Sequence, residues 1–176
     1  IMKLSCPKIF TTIMKIYLLR HAKSSWEDYV NDHSRPLDKR GKKDAAVLAD
    51  FIRKNSILFK MTLCSSAIRT RETLDIIIKN APDSFDEIRY LDSLYLASGE
   101  EIMDHLKERM CSSILVIGHN PGLSEAISFF AHHETSDYPT CVLAGITSKN
   151  LMQKSQVDFI VRPQSGKIVN TLVRIK

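Results

Sequence analysis

The sequence of 176 residues has no apolar run that approaches the roughly 20 residues of a membrane-spanning helix. Its four cysteines, Cys6, Cys64, Cys111 and Cys141, form no C-x-x-C pair, which argues against a cysteine zinc site and against the disulfide framework of a small secreted protein. It also lacks both common nucleotide-binding loops, G-x-x-x-x-G-K-[ST] and G-x-G-x-x-G. The cysteine usage therefore predicts a cytoplasmic protein without a cysteine-bound metal.

The excess of positive charge is small, and the composition is that of an ordinary globular domain. Hydrophobic residues make up 44% of the chain and charged residues 26%, with a net charge of +5. The charge permits nucleic-acid binding, but the sequence has no RNP-type aromatic motif and no zinc knuckle, so we expect neither a nucleic-acid partner nor a membrane partner. We predict one domain over residues 15–176, preceded by a poorly ordered N-terminal extension over residues 1–14.

Short apolar runs alternate with amphipathic segments along the chain. The pattern predicts strands at 16–20, 61–64, 113–117, 141–147, 157–161 and 168–175, and one or two strand-like pieces within 88–96. Helices are predicted at 38–55, 67–79, 100–110 and from Pro121 onward. This alternation predicts a single three-layer α/β domain with a mostly parallel central sheet and helices on both faces.

Histidine and arginine side chains follow three of the predicted strands. Arg20 and His21 end the first strand, His119 follows the strand at 113–117, and Arg69 comes shortly after the strand at 61–64. Ligands bind at the carboxyl ends of strands in open α/β sheets, so we expect these four residues to converge. Two arginines suit phosphate oxygens, and a neutral histidine is a competent nucleophile. The set favours phosphoryl chemistry without a metal ion or another cofactor.

The same residues lie in three motifs that resemble the histidine phosphatase superfamily. These are R-H-A at 20–22, S-x-x-x-R-x-x-x-T at 65–73 and G-H-N at 118–120, in the family's order. Together with R-P-L-D-K-R-G at 35–41, they are similar to the short SixA-like phosphohistidine phosphatase branch. The resemblance runs from about residue 15 to the C-terminus and implies the phosphoglycerate-mutase-like fold.

The resemblance also implies a role for each matching residue. His21 would be the nucleophile that becomes phosphohistidine. The other three catalytic residues, Arg20, Arg69 and His119, would hold the phosphoryl oxygens. Lesser candidates for substrate binding are Lys23, Ser24 and Asn120.

One expected residue is missing, and its absence favours a particular substrate. Many members of the family carry a glutamate that protonates the leaving oxygen, and Tyr95 lies near that position here. Glu100 and Glu101 come later, at a predicted helix start, where acids suit the helix dipole. Loss of the acid handicaps cleavage of an alkyl phosphate more than cleavage of a P–N bond, since imidazole leaves readily once it is protonated. We therefore predict a phosphatase that acts on phosphohistidine in a protein.

Several alternatives stay open. The chain can instead hydrolyse small activated phosphate esters, act as a phosphoglycerate-mutase-like isomerase, or bind phosphate without turnover. A cysteine-dependent phosphatase is excluded by spacing, because Arg69 follows Cys64 after four residues instead of five. The branch suggests a phosphotransfer domain or a phosphocarrier protein as the partner, and a monomeric enzyme.

Overall fold

A computed structural model describes residues 13–26, 31–109, 111–131, 138–149, 151 and 155–170. Residues 1–12 of the predicted extension and residues 171–175 of the last predicted strand lie outside the described residues. The chain contains the strands and helices β1 Met14–Arg20, α1 Lys39–Lys54, β2 Phe59–Ser65, α2 Ile68–Asn80, β3 Phe85–Leu91, α3 Gly99–Glu108, β4 Ser113–Gly118, α4 Gly122–Ala131, β5 Leu143–Ser148, β6 Gln156–Gln164 and β7 Lys167–Asn170.

The strands form one sheet in the order β3-β2-β4-β1-β5-β6-β7. β3, β2, β4 and β1 pair in parallel, whereas β5, β6 and β7 continue the sheet through antiparallel pairs. β4 is buried at all six positions, as expected for an apolar strand covered on both faces. The predicted three-layer α/β fold is confirmed, and the sheet is mixed.

In the described part of the chain, two helices cover each face of the sheet. α1 and α2 pack against the face that carries Leu19 and Leu115, and α3 and α4 pack against the face that carries Leu18 and Val116. Alternate residues of one strand point to opposite faces, so adjacent positions of β1 and β4 contribute to different hydrophobic cores. Among the described residues, no helix is long and apolar enough to cross a bilayer.

The strand-like pieces predicted within 88–96 are placed differently in the structure. β3 begins earlier, at Phe85, and ends at Leu91, and a single 3-10 turn follows at Asp92–Leu94. β3 is an edge strand whose exposed positions include Asp86, Glu87 and Arg89. Charges on an edge strand discourage pairing with other chains, and here they also weaken the apolar alternation that would mark the strand in the sequence.

Candidate active site

Strand register brings the two histidines together. Arg20 of β1 is paired with Gly118 of β4, so the next residues, His21 and His119, leave neighbouring parallel strands at the same edge. Their ring centroids are 5.2 Å apart. The convergence predicted from the strand ends is therefore present in the fold.

His21 is held in one tautomer. Its Nδ1 lies 2.8 Å from the carbonyl oxygen of Ala22, and because a carbonyl only accepts, Nδ1 carries the proton and Nε2 carries the lone pair. The side chain is buried, with 6% of the residue exposed. Burial lowers the pKa of His21 to about 3, and the positive charges of Arg69 and Arg20 lower it further. The hydrogen bond to the Ala22 carbonyl raises the pKa but does not outweigh these effects. His21 is thus a neutral imidazole at pH 7, the form that acts as a nucleophile.

Thr73 ties the segment after His21 to α2. Its Oγ1 accepts the backbone N–H of Ala22 at 3.0 Å and donates to the carbonyl oxygen of Arg69 at 2.6 Å. Thr73 is four residues after Arg69, so both occupy the same face of α2. The spacing R-x-x-x-T thereby joins the backbone that carries His21 to the helix that carries Arg69.

His119 takes the opposite tautomer. The Nη2 atom of Arg69 lies 3.3 Å from Nδ1 of His119, and because a guanidinium only donates, Nδ1 accepts. The proton is then on Nε2, which donates to Oγ of Ser65 at 2.8 Å. Burial lowers the pKa of His119 to about 3, with the neighbouring His21 and Arg69 adding to the effect. Both histidines are therefore neutral near pH 7.

Arg69 is the buried link between the histidines and the loop before α1. Only 2% of the residue is exposed, although it lies in the first turn of a helix. Its Nη1 donates to the carbonyl oxygen of Asp32 at 2.6 Å, and its Nη2 donates to Oδ2 of Asp32 at 2.9 Å. A buried guanidinium with a positive charge beside two neutral imidazoles can neutralise an anion at this edge of the sheet.

Asp32 is part of this network and is absent from the sequence-based set. It also accepts from Nε of Arg35 at 2.9 Å and from the hydroxyl of Tyr95 at 2.8 Å. Burial alone would raise the pKa of Asp32, but the bond from Tyr95 and the charges of Arg69 and Arg35 outweigh it and hold that pKa below its usual value. Tyr95 has a raised pKa, mainly from burial and from the bond to Asp32. The carboxyl is therefore ionised and the phenol protonated near pH 7.

The remaining predicted residues occupy different positions around the histidines. Arg20 and Asn120 both donate to the carbonyl oxygen of Tyr138, at 2.7 Å and 3.0 Å, so this backbone oxygen fixes two polar side chains at the same edge. Ser24 is buried and pairs with Leu37 in an isolated antiparallel bridge. Within the described residues, no hydrogen bond or ion pair joins Lys23 or Ser24 to the two histidines. The structure thus gathers Arg20, His21, Arg69 and His119, places Asn120 beside them, and leaves Lys23 and Ser24 in an adjoining groove.

The donor set does not suggest a metal ion. Among the residues that the structure describes, no three histidine, cysteine or carboxylate side chains are grouped so that they could bind one. The side chains that do come together, two imidazoles and two guanidinium groups, are suited to nucleophilic attack by imidazole on an anionic group held by guanidinium donors.

Comparison with known proteins finds a family whose sequence pattern includes residues at the strand ends. The sequence pattern of the histidine phosphatase superfamily (branch 1) matches residues 16–94, which include Arg20, His21 and Arg69. Over these residues the chain is similar to the histidine phosphatase superfamily. The solved structure of the phosphohistidine phosphatase SixA from Agrobacterium tumefaciens has the same fold, with a TM-score of 0.76 and 25% identity, over 85% of this chain and 98% of that chain.

Two further comparisons extend this result. The solved structure of the protein histidine phosphatase SixA complexed with tungstate has a TM-score of 0.73 at 18% identity, over 84% of this chain and 96% of that chain, which shows the common fold. An uncharacterized chloroplastic protein of Arabidopsis thaliana is 36% identical over 129 residues, which are 66% of this chain and 59% of that protein. The chain thus spans about three fifths of the length of this plant relative.

The buried neutral histidines predict a pH-dependent stability. In the unfolded chain both imidazoles have an ordinary pKa near 6.5, whereas in the folded protein the pKa of each is about 3. The stability is thus fully present above pH 6.5 and falls as the pH drops toward 3, by about 1.4 kcal/mol per pH unit for each histidine. Urea unfolding at pH 7, 6 and 5 measures this slope. We expect His21→Asn to have roughly half the slope that both histidines together produce, and an unchanged slope would contradict the burial of a neutral His21.

Proposed function

We propose that the protein is a metal-independent phosphatase that hydrolyses phosphohistidine on a protein through a covalent phospho-His21 intermediate. The observation that carries the proposal is the tautomer of His21. Its Nδ1 proton is committed to the Ala22 carbonyl, and its Nε2 lone pair lies on a buried, neutral ring next to Arg69 and His119. A histidine in this state needs no base to activate it.

In the first step, Nε2 of His21 attacks phosphorus and the P–N bond of the substrate breaks. The electron pair of that bond returns to the nitrogen of the substrate imidazole, which leaves as a neutral ring when its other nitrogen is protonated. The phosphorylated His21 ring is cationic, and its Nδ1–H donates to Ala22 as before. In the second step, water attacks phosphorus, the electron pair returns to Nε2, and the water proton passes to phosphate or solvent.

In this scheme the negative charge on the phosphoryl oxygens is stabilised by Arg20, Arg69 and His119. Guanidinium groups bind such oxygens through forked donors, and preorganised donors are worth most where charge develops in the transition state. Asn120 is a further substrate-binding candidate, because its Nδ2 shares an acceptor with Arg20. Lys23 and Ser24 would contact parts of the substrate outside the phosphoryl group.

The state of Asp32 supports the choice of a P–N bond. Asp32 is a carboxylate close enough to His119 for its charge to act on the pKa of that histidine, which it raises against the larger effect of burial. Asp32 is ionised, and the hydroxyl proton of Tyr95 is donated to its carboxylate, so in this arrangement neither group presents a proton to a leaving oxygen. A substrate that brings its own protonated leaving group does not need a protein acid.

The test is phosphate release in EDTA from four substrates: a phosphohistidine protein, phosphoramidate, an aryl phosphate and an alkyl phosphate. We expect turnover of both P–N compounds, with the alkyl phosphate slower by roughly 10²–10⁴-fold, which is the usual contribution of a general acid. Turnover of small aryl phosphates without turnover of P–N compounds would support the alternative, a phosphatase of activated esters. A requirement for a divalent metal ion would contradict the proposal. The phosphotransfer or phosphocarrier partner, the cytoplasmic location and the monomeric state remain predictions.

A further inference from the structure

The first turn of α1 carries an unusual concentration of positive charge. Four of the five residues from 39 to 43 are lysine or arginine, and the turn contains no acidic residue. Cations at the start of a helix oppose its dipole and reduce stability. Asp38 is committed to capping the helix, where it accepts the N–H of Gly41, and Asp44 pairs with Arg40. Stability of the fold therefore does not account for the lysines of this turn.

Two of these lysines, Lys39 and Lys42, line a groove that begins at Lys23, two residues after His21. The groove has a volume of about 630 Å³, and its lining includes Lys23, Ser24, Trp26, Leu37, Lys39 and Lys42; we call it the cationic groove. Its two walls are held together tightly. The N–H of Asp38 donates to the carbonyl of Lys23 at 3.0 Å, and a side chain at Gly41 would overlap that same carbonyl.

A chain of side-chain contacts links the cationic groove to the site of the histidines. Trp26, at its rim, is 74% exposed and lies over the Arg35 guanidinium, with 3.6 Å from Cζ to the ring centroid. Arg35 in turn binds Asp32, which binds Arg69. An exposed tryptophan beside lysines is a surface suited to contact with another chain, since aromatic residues dominate interface energetics.

We propose that the cationic groove binds an acidic segment of the protein that carries the phosphohistidine. The inference rests on the proposed function and adds the substrate class to it: a phosphoprotein with carboxylates next to the modified histidine. Within the described residues, Lys23, Lys39 and Lys42 make no ion pair, so their charges are available to carboxylates. A short groove with one aromatic residue, next to a site for a single phosphoryl group, favours a protein segment over a nucleic-acid strand, which needs an extended basic track with several stacking platforms.

The test uses two phosphohistidine peptides of the same length, one with four glutamates around the phosphohistidine and one with glutamines. For the intact protein at low salt we expect a kcat/KM roughly tenfold higher on the glutamate peptide, the lower end of electrostatic steering. The double variant Lys39→Glu/Lys42→Glu is expected to lose this preference while it retains turnover of phosphoramidate. The preference should also fade above roughly 0.5 M salt, where charges are screened over a few ångströms.

A matched control separates the groove from overall charge. Lys54→Glu/Lys79→Glu changes the net charge equally at exposed positions near the ends of α1 and α2, and the preference should survive in it. The groove variant should also unfold at a higher temperature, by roughly 2–4 °C, since acids at the start of a helix favour the fold. A folded, more stable variant that keeps the full preference would overturn the inference.

Binding can be followed without catalysis, because Trp26 is the single tryptophan of the chain. Titration with the unphosphorylated glutamate peptide should change its fluorescence in the parent protein but not in the groove variant. If no substrate is turned over but the peptide still binds, the proposed function fails and the groove stands. If turnover occurs but neither peptide binding nor the preference for glutamate is seen, the inference about the groove is wrong and the proposed function stands. Tighter binding of a single-stranded oligonucleotide than of the peptide would assign the groove to nucleic acid instead.

Discussion

Replacement of His21 by alanine is expected to reduce turnover of a phosphohistidine protein by at least about 10⁴-fold, as the loss of a covalent nucleophile does in other enzymes. The variant should fold, because the ring makes its described hydrogen bond only to the carbonyl of the adjacent Ala22. A single-turnover experiment, quenched in base, should trap phosphate on the parent protein and none on the variant. The trapped phosphate should be released by acid, as expected for a P–N bond.

The control for this experiment is His105→Ala. His105 lies in α3, where it contacts Ser93 and Arg109, and it has no role in the proposed chemistry. Its removal should leave turnover within a factor of about two, in line with a substitution outside the site. Labelled phosphate that persists on the His21→Ala protein would show that another group is the nucleophile, and His119 would then be the residue to replace.

The central strands and the two histidines are predictable from the sequence because their signals are local. β1 and β4 are short, nearly uninterrupted apolar runs, and each is followed at once by a polar residue that an apolar core would not retain without a reason. Parallel pairing of neighbouring strands then brings His21 and His119 to one edge. The location of the site at that edge can be predicted from the fold class alone, without knowledge of any side-chain contact.

Asp32 could not be found in this way, since its importance depends on residues far away in the chain. Its carboxylate meets Arg69, 37 residues later, and Tyr95, 63 residues later. Locally, Asp32 lies in a single 3-10 turn that Asn31 caps, a pattern typical of any polar loop. Tyr95 is marked in the sequence only by the absence of the expected glutamate. Only the structure shows that the residue near the position of that glutamate, Tyr95, donates its hydroxyl proton to Asp32.

The second large effect is expected at Arg69, where lysine should not substitute. The guanidinium makes three contacts at once, with the carbonyl and carboxylate of Asp32 and with Nδ1 of His119. A lysine ammonium keeps the charge but cannot reproduce this planar fork or present two parallel donors to a phosphoryl group. We expect Arg69→Lys to lower kcat/KM by roughly 10²–10³-fold, mainly through kcat, because the loss of a preorganised donor is felt most in the transition state.

Arg71 offers the same substitution on the same helix turn as a control. It is exposed, and its guanidinium lies over the Tyr90 ring at 5.0 Å, so a lysine there should leave kcat and KM within a factor of about two. If Arg69→Lys instead raised KM alone, the guanidinium would bind the ground state and the transition state equally, and its role would be substrate capture. If both lysine variants matched the parent protein, the fork geometry would be irrelevant, and charge alone at this edge would hold the phosphoryl group. The burial of Arg69, at 2% exposure, favours the expected fall in kcat for Arg69→Lys. A residue needed only for its charge does not have to be fixed between Asp32 and His119.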